Sequence, residues 1–309
     1  MNPGSYPLVS VLVPLYNHER FIRRCLDSIL EDGYPFTEII ILDDGSKDGS
    51  VEAARAWHRE NSHRHAGRFQ LHSRENRGVT RTLNELVGMA RGEFVILLAS
   101  DDYLLPGGIQ ARADYLLENK GKMAVFADCI VVDQHNAVVH SSGINEIYQG
   151  RKDYLAHEKL RSYELVIRWC VPGPVFMARR EAYRQFGGYD ESLVVEDWDF
   201  YLRLLTADAL GFVDYPVAAY RLHGGNAIYN KSRVLIMNDS MLRTVNNHLG
   251  NFTGVKKLFL FGTKLKLKGI HAKLTGRKKL RGVLSRRVGR TLISLTKFVH
   301  RRLIPIIIK

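Results

Sequence analysis

The chain has 309 residues, of which 45% are hydrophobic, 25% charged and 10% aromatic. This is the composition of a folded globular protein, and it excludes a disordered chain, a collagen-like repeat and a disulfide-dense miniprotein. The formal net charge is +13, but 17 of the 45 basic residues and none of the 32 acidic residues lie in residues 251–309. A slightly acidic body is therefore followed by a strongly cationic segment.

Short apolar runs alternate with segments of helical spacing in the first part of the chain. The runs predict strands at residues 9–13, 39–42, 69–71, 94–98 and 124–127. The segments between them predict helices at residues 19–30, 50–60 and 79–90, with a further helix that begins at Pro106. Strands that alternate with helices predict an α/β fold, a Rossmann-type, mostly parallel sheet flanked by helices.

The alternation is lost after residue 128. A hairpin is predicted over residues 130–139, a Pro/Gly-broken stretch over 171–176 and a strand over 217–222, and helices over 154–169, 197–205 and 232–248. We therefore predict one domain over residues 1–230, with halves at 1–128 and 129–230, and a basic helical extension over 231–309.

Polar residues follow each of the first four predicted strands. In a parallel sheet they would share one carboxyl edge, where ligands bind. Taken singly they have ordinary explanations: Asp44 begins a good turn sequence, Tyr16 is a loop aromatic, and His223 precedes a glycine turn. Adjacent acids after a buried strand need a cation, and oxygen ligands suit Mg²⁺ or Mn²⁺ shared with a diphosphate. The four groups are Tyr16 and Asn17, Asp43 and Asp44, Asn76 to Gly78, and Ser100 to Asp102.

Five short motifs resemble, in order, those of the family 2 glycosyltransferases. The resemblance extends over about residues 8–226 and implies a GT-A fold and an inverting enzyme that uses nucleoside-diphosphate sugars as donors. No Walker or Rossmann glycine motif is present, which argues against P-loop hydrolysis and dinucleotide redox chemistry. The motifs are VSVLVPLYN at 9–17, DDGSKD at 43–48, NRG at 76–78, SDD at 100–102 with Pro106 after it, and GGYD at 187–190 leading to EDW at 196–198.

The resemblance also implies roles for individual residues. Tyr16 would stack on the nucleotide base, Asp44 would accept a hydrogen bond from it, and Asp197 would take the proton from the acceptor hydroxyl. Residues 1–128 would bind the nucleotide sugar and residues 129–230 the acceptor. The implied donor-binding residues are Pro14, Tyr16, Asp44, Arg77, Arg81, Ser100 and Asp101, the implied metal ligands are Asp101, Asp102 and His223, and the implied catalytic pair is Glu196 and Asp197.

One position departs from the family pattern. Ala99 stands where the first acid of the DxD motif would fall, and that acid usually supports the ribose or the metal. The departure leaves open an inactive module that binds sugar nucleotides or acts as a membrane scaffold. A nucleotidyltransferase is a second alternative, although the chain shows no triphosphate-binding loop.

The cationic extension has apolar residues at spacings of three or four. This pattern predicts an amphipathic helix that lies on an anionic membrane surface. A helix packed on the body is the alternative. The absence of acidic residues in the extension argues against it. No nucleic-acid partner is expected, because no recognition motif or aromatic platform is present. The apolar positions are Leu280, Leu284, Val288, Leu292, Leu295, Val299 and Leu303.

Three isolated cysteines and the lack of a signal peptide or a bilayer-spanning run favour the cytosol. Together with the extension, these features predict a peripheral enzyme on the inner face of the cell membrane. Its expected acceptor is a hydroxyl of a lipid-linked or membrane-associated glycan in surface polysaccharide synthesis.

Overall fold

A computed structural model describes residues 6–65, 67–224, 234–276 and 280–302. The chain divides into two compact units, each made of several segments. The first unit comprises Met1–Gln149, Val171–Tyr189 and Ala209–His223, and the second comprises Gly150–Cys170, Asp190–Asp208 and Gly224–Lys309.

The strands described in the structure all belong to the first unit and form one sheet. Its order is β3-β2-β1-β4-β8-β6-β9-β5, with β7 paired to β6. Strands β1 to β4 are parallel, as the alternation predicted, whereas β8 runs antiparallel to both β4 and β6. The bounds are β1 Val9–Leu15, β2 Thr37–Asp43, β3 Phe69–Ser73, β4 Phe94–Leu97, β5 Tyr103–Leu104, β6 Ala124–Val132, β7 Val138–His140, β8 Met177–Arg179 and β9 Leu210–Arg221.

Helices flank the sheet in the first unit and build most of the second. The bounds are α1 Ile22–Glu31, α2 Ser50–Asn61, α3 Val79–Met89, α4 Gly108–Glu118, α5 Lys152–Ala156, α6 Glu158–Ile167, α7 Arg180–Gln185, α8 Glu196–Thr206, α9 Val234–His248, α10 Gly254–Leu274 and α11 Leu280–Arg302.

The core of the first unit explains why its sequence alternates. Strands β1 and β2 are buried along nearly their whole length, so both faces carry apolar side chains. Helix α1 turns one stripe of side chains inward, including Cys25, Leu26 and Ile29. Helix α4 begins two residues later than predicted, because Gly107 takes the left-handed conformation, with φ at 74°, and delays the first turn.

The second unit differs from one of its predicted helices. The expected helix over residues 154–169 is split into α5 and α6, because His157 is extended, with φ −84° and ψ 117°. Helix α9 covers the described part of the predicted helix over 232–248. The predicted start of that helix and Leu303 lie outside the described residues.

Helices α10 and α11 pack closely along a seam of glycines. A Cβ added to Gly289 would lie 2.5 Å from the carbonyl oxygen of Gly262, and one added to Gly269 would lie 2.7 Å from that of Gly282. Only a residue without a Cβ allows backbones to approach this closely. The seam fixes the two helices as a pair, which we call the α10–α11 hairpin.

The hairpin has one buried and one exposed apolar face. Phe259, Leu260 and Leu267 of α10 are buried, so the acid-free composition did not prevent this part of the extension from packing. Side chains that remain exposed include Phe261, Leu284, Val288, Leu295 and Phe298. Leu292 and Val299 of the predicted stripe are partly buried. Within the described chain, no helix combines the length and the apolar character that crossing a bilayer requires.

Candidate active site

The loops after β1, β2, β3 and β4 leave the sheet at one edge, because these strands are parallel. The polar groups that the sequence placed after the four strands therefore share this edge. The loop after β1 is tied to the loop after β2: the Asn17 N–H donates to Ser46 Oγ at 2.9 Å, and the Lys47 N–H donates to Asn17 Oδ1 at 2.8 Å. The ring of Tyr16 is left 46% exposed beside them.

Three side chains of the first unit form a cluster that could hold a metal ion. His223 Nε2 lies 2.9 Å from Asp101 Oδ2, and His18 Nδ1 lies 3.8 Å from Asp101 Oδ1. One ligand atom from each of the three residues lies within 4.8 Å of the others. The structure thus brings together Asp101 and His223, both predicted as ligands, and adds His18.

The pKa shifts of His18 and Asp101 favour the forms of these two groups that bind a metal ion. Burial, together with the neighbouring charge of His223, holds the pKa of His18 below its ordinary value although Asp101 opposes the shift. Burial also acts to raise the pKa of Asp101, but the hydrogen bond with His223 and the charge of His18 outweigh it, and the pKa is lowered. A neutral imidazole and an ionised carboxylate are the forms that bind a cation.

Asp102 faces a different partner from Asp101. Its buried Oδ1 accepts a hydrogen bond from the backbone N–H of Arg221 at 2.7 Å. Burial and then the charge of Asp101 raise the pKa of Asp102 well above its ordinary value. Its predicted role as a metal ligand stays a prediction.

Arg221 holds the acidic loop in place from the end of β9. Its Nε donates to the carbonyl oxygen of Asp101 at 2.6 Å, and its Nη1 donates to the carbonyl oxygen of Asp133 at 3.1 Å. The guanidinium lies over the ring of Phe21, 4.9 Å from its centroid. A planar donor fork is needed to reach both carbonyls, so this arginine fixes the backbone that presents Asp101.

The donor set fits a divalent cation of the transition series. Two imidazole nitrogens and one carboxylate oxygen are ligands that such ions accept, whereas Mg²⁺ prefers oxygen ligands alone. The buried Ser100 Oγ lies 2.8 Å from His18 Nδ1, the same nitrogen that lies 3.8 Å from Asp101 Oδ1, so an ion bound at that nitrogen would displace the contact with Ser100. His18, Asp101 and His223 would hold the ion through one donor atom each.

Asp44 organises the loop that carries Arg77. Its carboxylate accepts hydrogen bonds from the Arg77 N–H at 2.7 Å and the Gly78 N–H at 3.0 Å, and it pairs with the guanidinium of Arg74. Gly45 has a φ of 77°, and a Cβ there would lie 2.8 Å from the Asn76 nitrogen. The turn therefore requires glycine, and Asp44 binds the loop after β3 to the end of β2.

The remaining predicted donor-binding residues lie at the same edge. Arg77 is exposed, and its guanidinium is 3.9 Å from the Glu85 carboxylate. Arg81 is exposed on the first turns of α3, Pro14 is half-buried in β1, and Ser100 is buried after β4. Their roles at the nucleotide sugar stay predictions.

In the second unit, α8 begins with the acidic pair that the sequence singled out. Asp197 Oδ1 accepts a hydrogen bond from the Trp198 N–H at 2.7 Å. Burial raises the pKa of Asp197 to about 6, against the opposing backbone hydrogen bonds. Glu196 precedes it as the first residue of the helix. A carboxyl with this pKa is suited to accept and release a proton near neutral pH.

Contacts within the second unit hold this helix start in place. The N–H groups of Val194 and Val195 donate to Ser240 Oγ on α9 at 3.0 and 3.2 Å. Asp199, one turn into α8, lies 2.8 Å from His248 Nε2 and pairs with Arg203 at 3.0 Å. A helix start fixed at both sides gives Asp197 a defined position.

Sequence reasoning missed His18, Arg74 and Arg221 as site residues. His18 directly follows Tyr16 and Asn17, so its place in an edge loop was a usable signal. Arg221 lies in a predicted apolar strand, where a charged residue needs a partner. Arg74 carried no comparable signal, because it follows a short and mostly polar strand.

A parallel half-sheet with a cluster of possible metal ligands at its carboxyl edge is typical of α/β proteins that bind a ligand at that edge. Residues 10–187 match the model of glycosyl transferase family 2, which is more than half of the chain. The chain therefore belongs to glycosyl transferase family 2, and the predicted family is confirmed.

A curated relative agrees with this assignment. The chain is 28% identical over 253 residues to chondroitin synthase of Escherichia coli, an alignment that covers 81% of this chain and 34% of that protein. The chain thus spans about a third of the length of this relative.

The fold resembles two solved structures. TarS residues 1–349 of Staphylococcus aureus in complex with UDP-GlcNAc gives a TM-score of 0.64 at 17% identity, over 91% of this chain and 79% of that one. The mannosyltransferase PcManGT of Pyrobaculum calidifontis, in complex with GDP-Man and Mn²⁺, gives a TM-score of 0.60 at 17% identity, over 97% of this chain and 88% of that one. These likenesses confirm the predicted GT-A fold class.

Proposed function

We propose that the chain transfers a sugar from a nucleoside-diphosphate sugar to a hydroxyl of a glycan acceptor, with inversion at the anomeric carbon. The observation that carries the proposal is the His18–Asp101–His223 cluster at the carboxyl edge of the parallel strands, in a chain of family 2. The ligands in the two similar structures, UDP-GlcNAc and GDP-Man with Mn²⁺, support this donor class.

The first unit binds the donor. A divalent ion held by the cluster would neutralise the charge that develops on the departing diphosphate. Tyr16 offers an exposed ring face to the base, and Arg77 and Arg81 offer guanidinium groups to the diphosphate. Asp44 holds the Arg77–Gly78 backbone in place for this purpose.

The second unit supplies the base. Asp197 takes the proton from the acceptor hydroxyl as the hydroxyl oxygen attacks the anomeric carbon. The bond between that carbon and the diphosphate oxygen breaks at the same time, and the nucleoside diphosphate leaves. A pKa of about 6 leaves the carboxylate ionised at neutral pH yet basic enough to share a proton in the transition state.

A thermal-shift screen of nucleotide sugars with Mn²⁺ or Mg²⁺ tests the donor site. A ligand at roughly 100 times its Kd stabilises the folded state by about 2.7 kcal/mol, which corresponds to a shift of about 4 °C for a chain of this length. We expect at least one donor to give this shift with Mn²⁺ and a smaller one with Mg²⁺, because the cluster contains two imidazoles.

His18→Ala should remove most of the Mn²⁺-dependent part of the shift, while His72→Ala, an exposed histidine on β3, should leave it unchanged. Absence of a shift with every donor would overturn the proposed function. Stabilisation by a donor without turnover, in the presence of a glycan acceptor, would instead favour the inactive binding module.

The acceptor that we propose is a growing glycan on a lipid carrier at the inner face of the membrane. Chondroitin synthase, the relative named above, makes a polysaccharide by its name. The exposed apolar side chains of the α10–α11 hairpin lie among basic residues, a combination that binds anionic bilayers.

A triple variant tests the membrane contact. Leu284→Gln, Leu295→Gln and Phe298→Gln together should weaken sedimentation with phosphatidylglycerol vesicles by roughly 100-fold, since each side chain contributes on the order of 1 kcal/mol of apolar burial. Phe36→Gln, Val138→Gln and Val139→Gln is the matched control, because these side chains are also exposed but lie in the first unit. An equal loss of vesicle binding in both triple variants, or no loss in either, contradicts the α10–α11 hairpin as the membrane contact.

A further inference from the structure

The second unit contains a cavity that the proposed transfer of sugar does not use. It has a volume of about 190 Å³ and lies among α6, α8, α9, α10 and α11. An apolar cavity of about 150 Å³ is large enough to hold benzene, so this one has room for a short apolar group. Its apolar lining is Val166, Ile167, Trp169, Val195, Met241, Phe259, Leu267 and Ile293.

Packing and hydrogen bonds hold several of the residues that line the cavity in place. The ring of Trp169 stacks on Tyr201, with centroids 4.9 Å apart. Val195 is held by the Ser240 hydroxyl, and Phe259 and Leu267 are fixed by burial in α10. A preformed apolar cavity binds an apolar group without a large ordering cost.

Two of the residues that line this cavity carry a buried polar atom without a partner. Trp198 is 4% exposed and Thr263 is 8% exposed, and neither the indole Nε1 nor the hydroxyl Oγ1 has a hydrogen-bond partner within the described residues. Both residues line the cavity. Buried donors without acceptors are rare in folded proteins, which points to a ligand with acceptor oxygens.

The charge around the cavity selects an anion. Lys266 and Lys297 line it, and none of the described residues that line it is acidic. Two lysines and two residues with unpaired donors line the same cavity, and these are groups that bind the oxygens of a phosphate. The same cavity therefore offers an apolar space and a phosphate site.

We propose that this cavity binds the phosphate and the first carbons of an anionic lipid, with the phosphate against Lys266, Lys297 and the two unpaired donors. The proposal rests on the proposed function, because it names the lipid phosphate of the acceptor as the occupant. Val195 and Trp198 flank Glu196 and Asp197 in the chain, so a sugar attached to that phosphate would start next to the predicted base. The remainder of the lipid would continue towards the bilayer.

Binding of dodecyl phosphate below its micelle concentration tests the proposal. Trp57→Phe leaves two of the three tryptophans, and both of these line the cavity, so their fluorescence reports occupancy. Calorimetry on the unmodified protein gives the same Kd without relying on that variant. Dodecyl maltoside tests the dodecyl group without the phosphate. Inorganic phosphate tests the phosphate without the dodecyl group.

We expect dodecyl phosphate to bind at least tenfold more tightly than either partial probe. Lys266→Gln should weaken its binding about tenfold, and Thr263→Val several-fold without lowering the melting temperature of the unliganded protein. Lys273→Gln is the control, because it removes the same charge from an exposed position on α10.

No binding of dodecyl phosphate, or equal losses in Lys266→Gln and Lys273→Gln, would overturn the inference. Donor binding in the thermal-shift screen is measured without any lipid. A protein that binds a nucleotide sugar but not dodecyl phosphate would therefore retain the proposed function and lose only the lipid site.

Discussion

Asp197→Asn is expected to slow sugar transfer by about 10²- to 10⁴-fold, the usual contribution of a positioned general base. The amide cannot accept the proton of the acceptor hydroxyl. Its oxygen can still accept the hydrogen bond from the Trp198 N–H, so the helix start should keep its structure. Steady-state kinetics with a saturating donor would show the loss in kcat, and the donor Kd should change by less than threefold.

The same carboxyl predicts a pH dependence. Because the pKa of Asp197 is raised to about 6, the carboxylate that accepts the proton is the main form above that pH and is lost below it. The rate should therefore rise from pH 5 to pH 7 with an apparent pKa near 6, and this rise should be absent from the residual rate of Asp197→Asn.

Asp239→Asn is the matched control for this variant. Asp239 lies in the second unit, is partly exposed and pairs with His271 at 2.7 Å, so its loss should cost little. A near-normal rate for Asp197→Asn, or an equal loss in Asp239→Asn, contradicts Asp197 as the base.

The parallel half of the sheet could be predicted from sequence because its strands are buried on both faces. Such strands are continuous apolar runs, and β1, β2 and β4 show this pattern clearly. The helices between them carry a one-sided apolar stripe. Both signals are local, so they need no knowledge of the partner elements.

The antiparallel half could not be predicted in the same way. Strands β5 and β8 have two and three residues, which is too short for an alternation to be seen. They exist because longer neighbours pair with them: β8 lies between β4 and β6. The break between α5 and α6 likewise depends on the backbone of one residue, His157, which carries no strong helix-ending signal.

The cluster at Asp101 illustrates the limit for site residues. Its motif singled out the correct loop but did not separate Asp101 from Asp102, which are adjacent in sequence and face different partners. The addition of His18 required the fold, because 83 residues separate it from Asp101. Only the parallel pairing of β1 and β4 brings their following loops side by side.

Asp101→Asn is expected to abolish Mn²⁺-dependent donor binding and to lower transfer by at least about 100-fold. The variant replaces a carboxylate that contacts both His18 and His223 with a neutral amide, a much weaker ligand. The backbone carbonyl oxygen of residue 101 still accepts the hydrogen bond from Arg221 Nε, so the loop should keep its place. Calorimetry with Mn²⁺ alone and with donor measures both effects.

Asp102→Asn separates the two possible ligand sets. An asparagine oxygen can still accept the hydrogen bond of the Arg221 N–H, so a ligand set of His18, Asp101 and His223 predicts a much smaller loss of Mn²⁺ affinity in this variant than in Asp101→Asn. Equal losses would contradict this ligand set. Both variants make the same carboxyl-to-amide change in the same loop, so a disturbance of the loop would affect them alike, and a larger loss in Asp101→Asn indicates direct coordination.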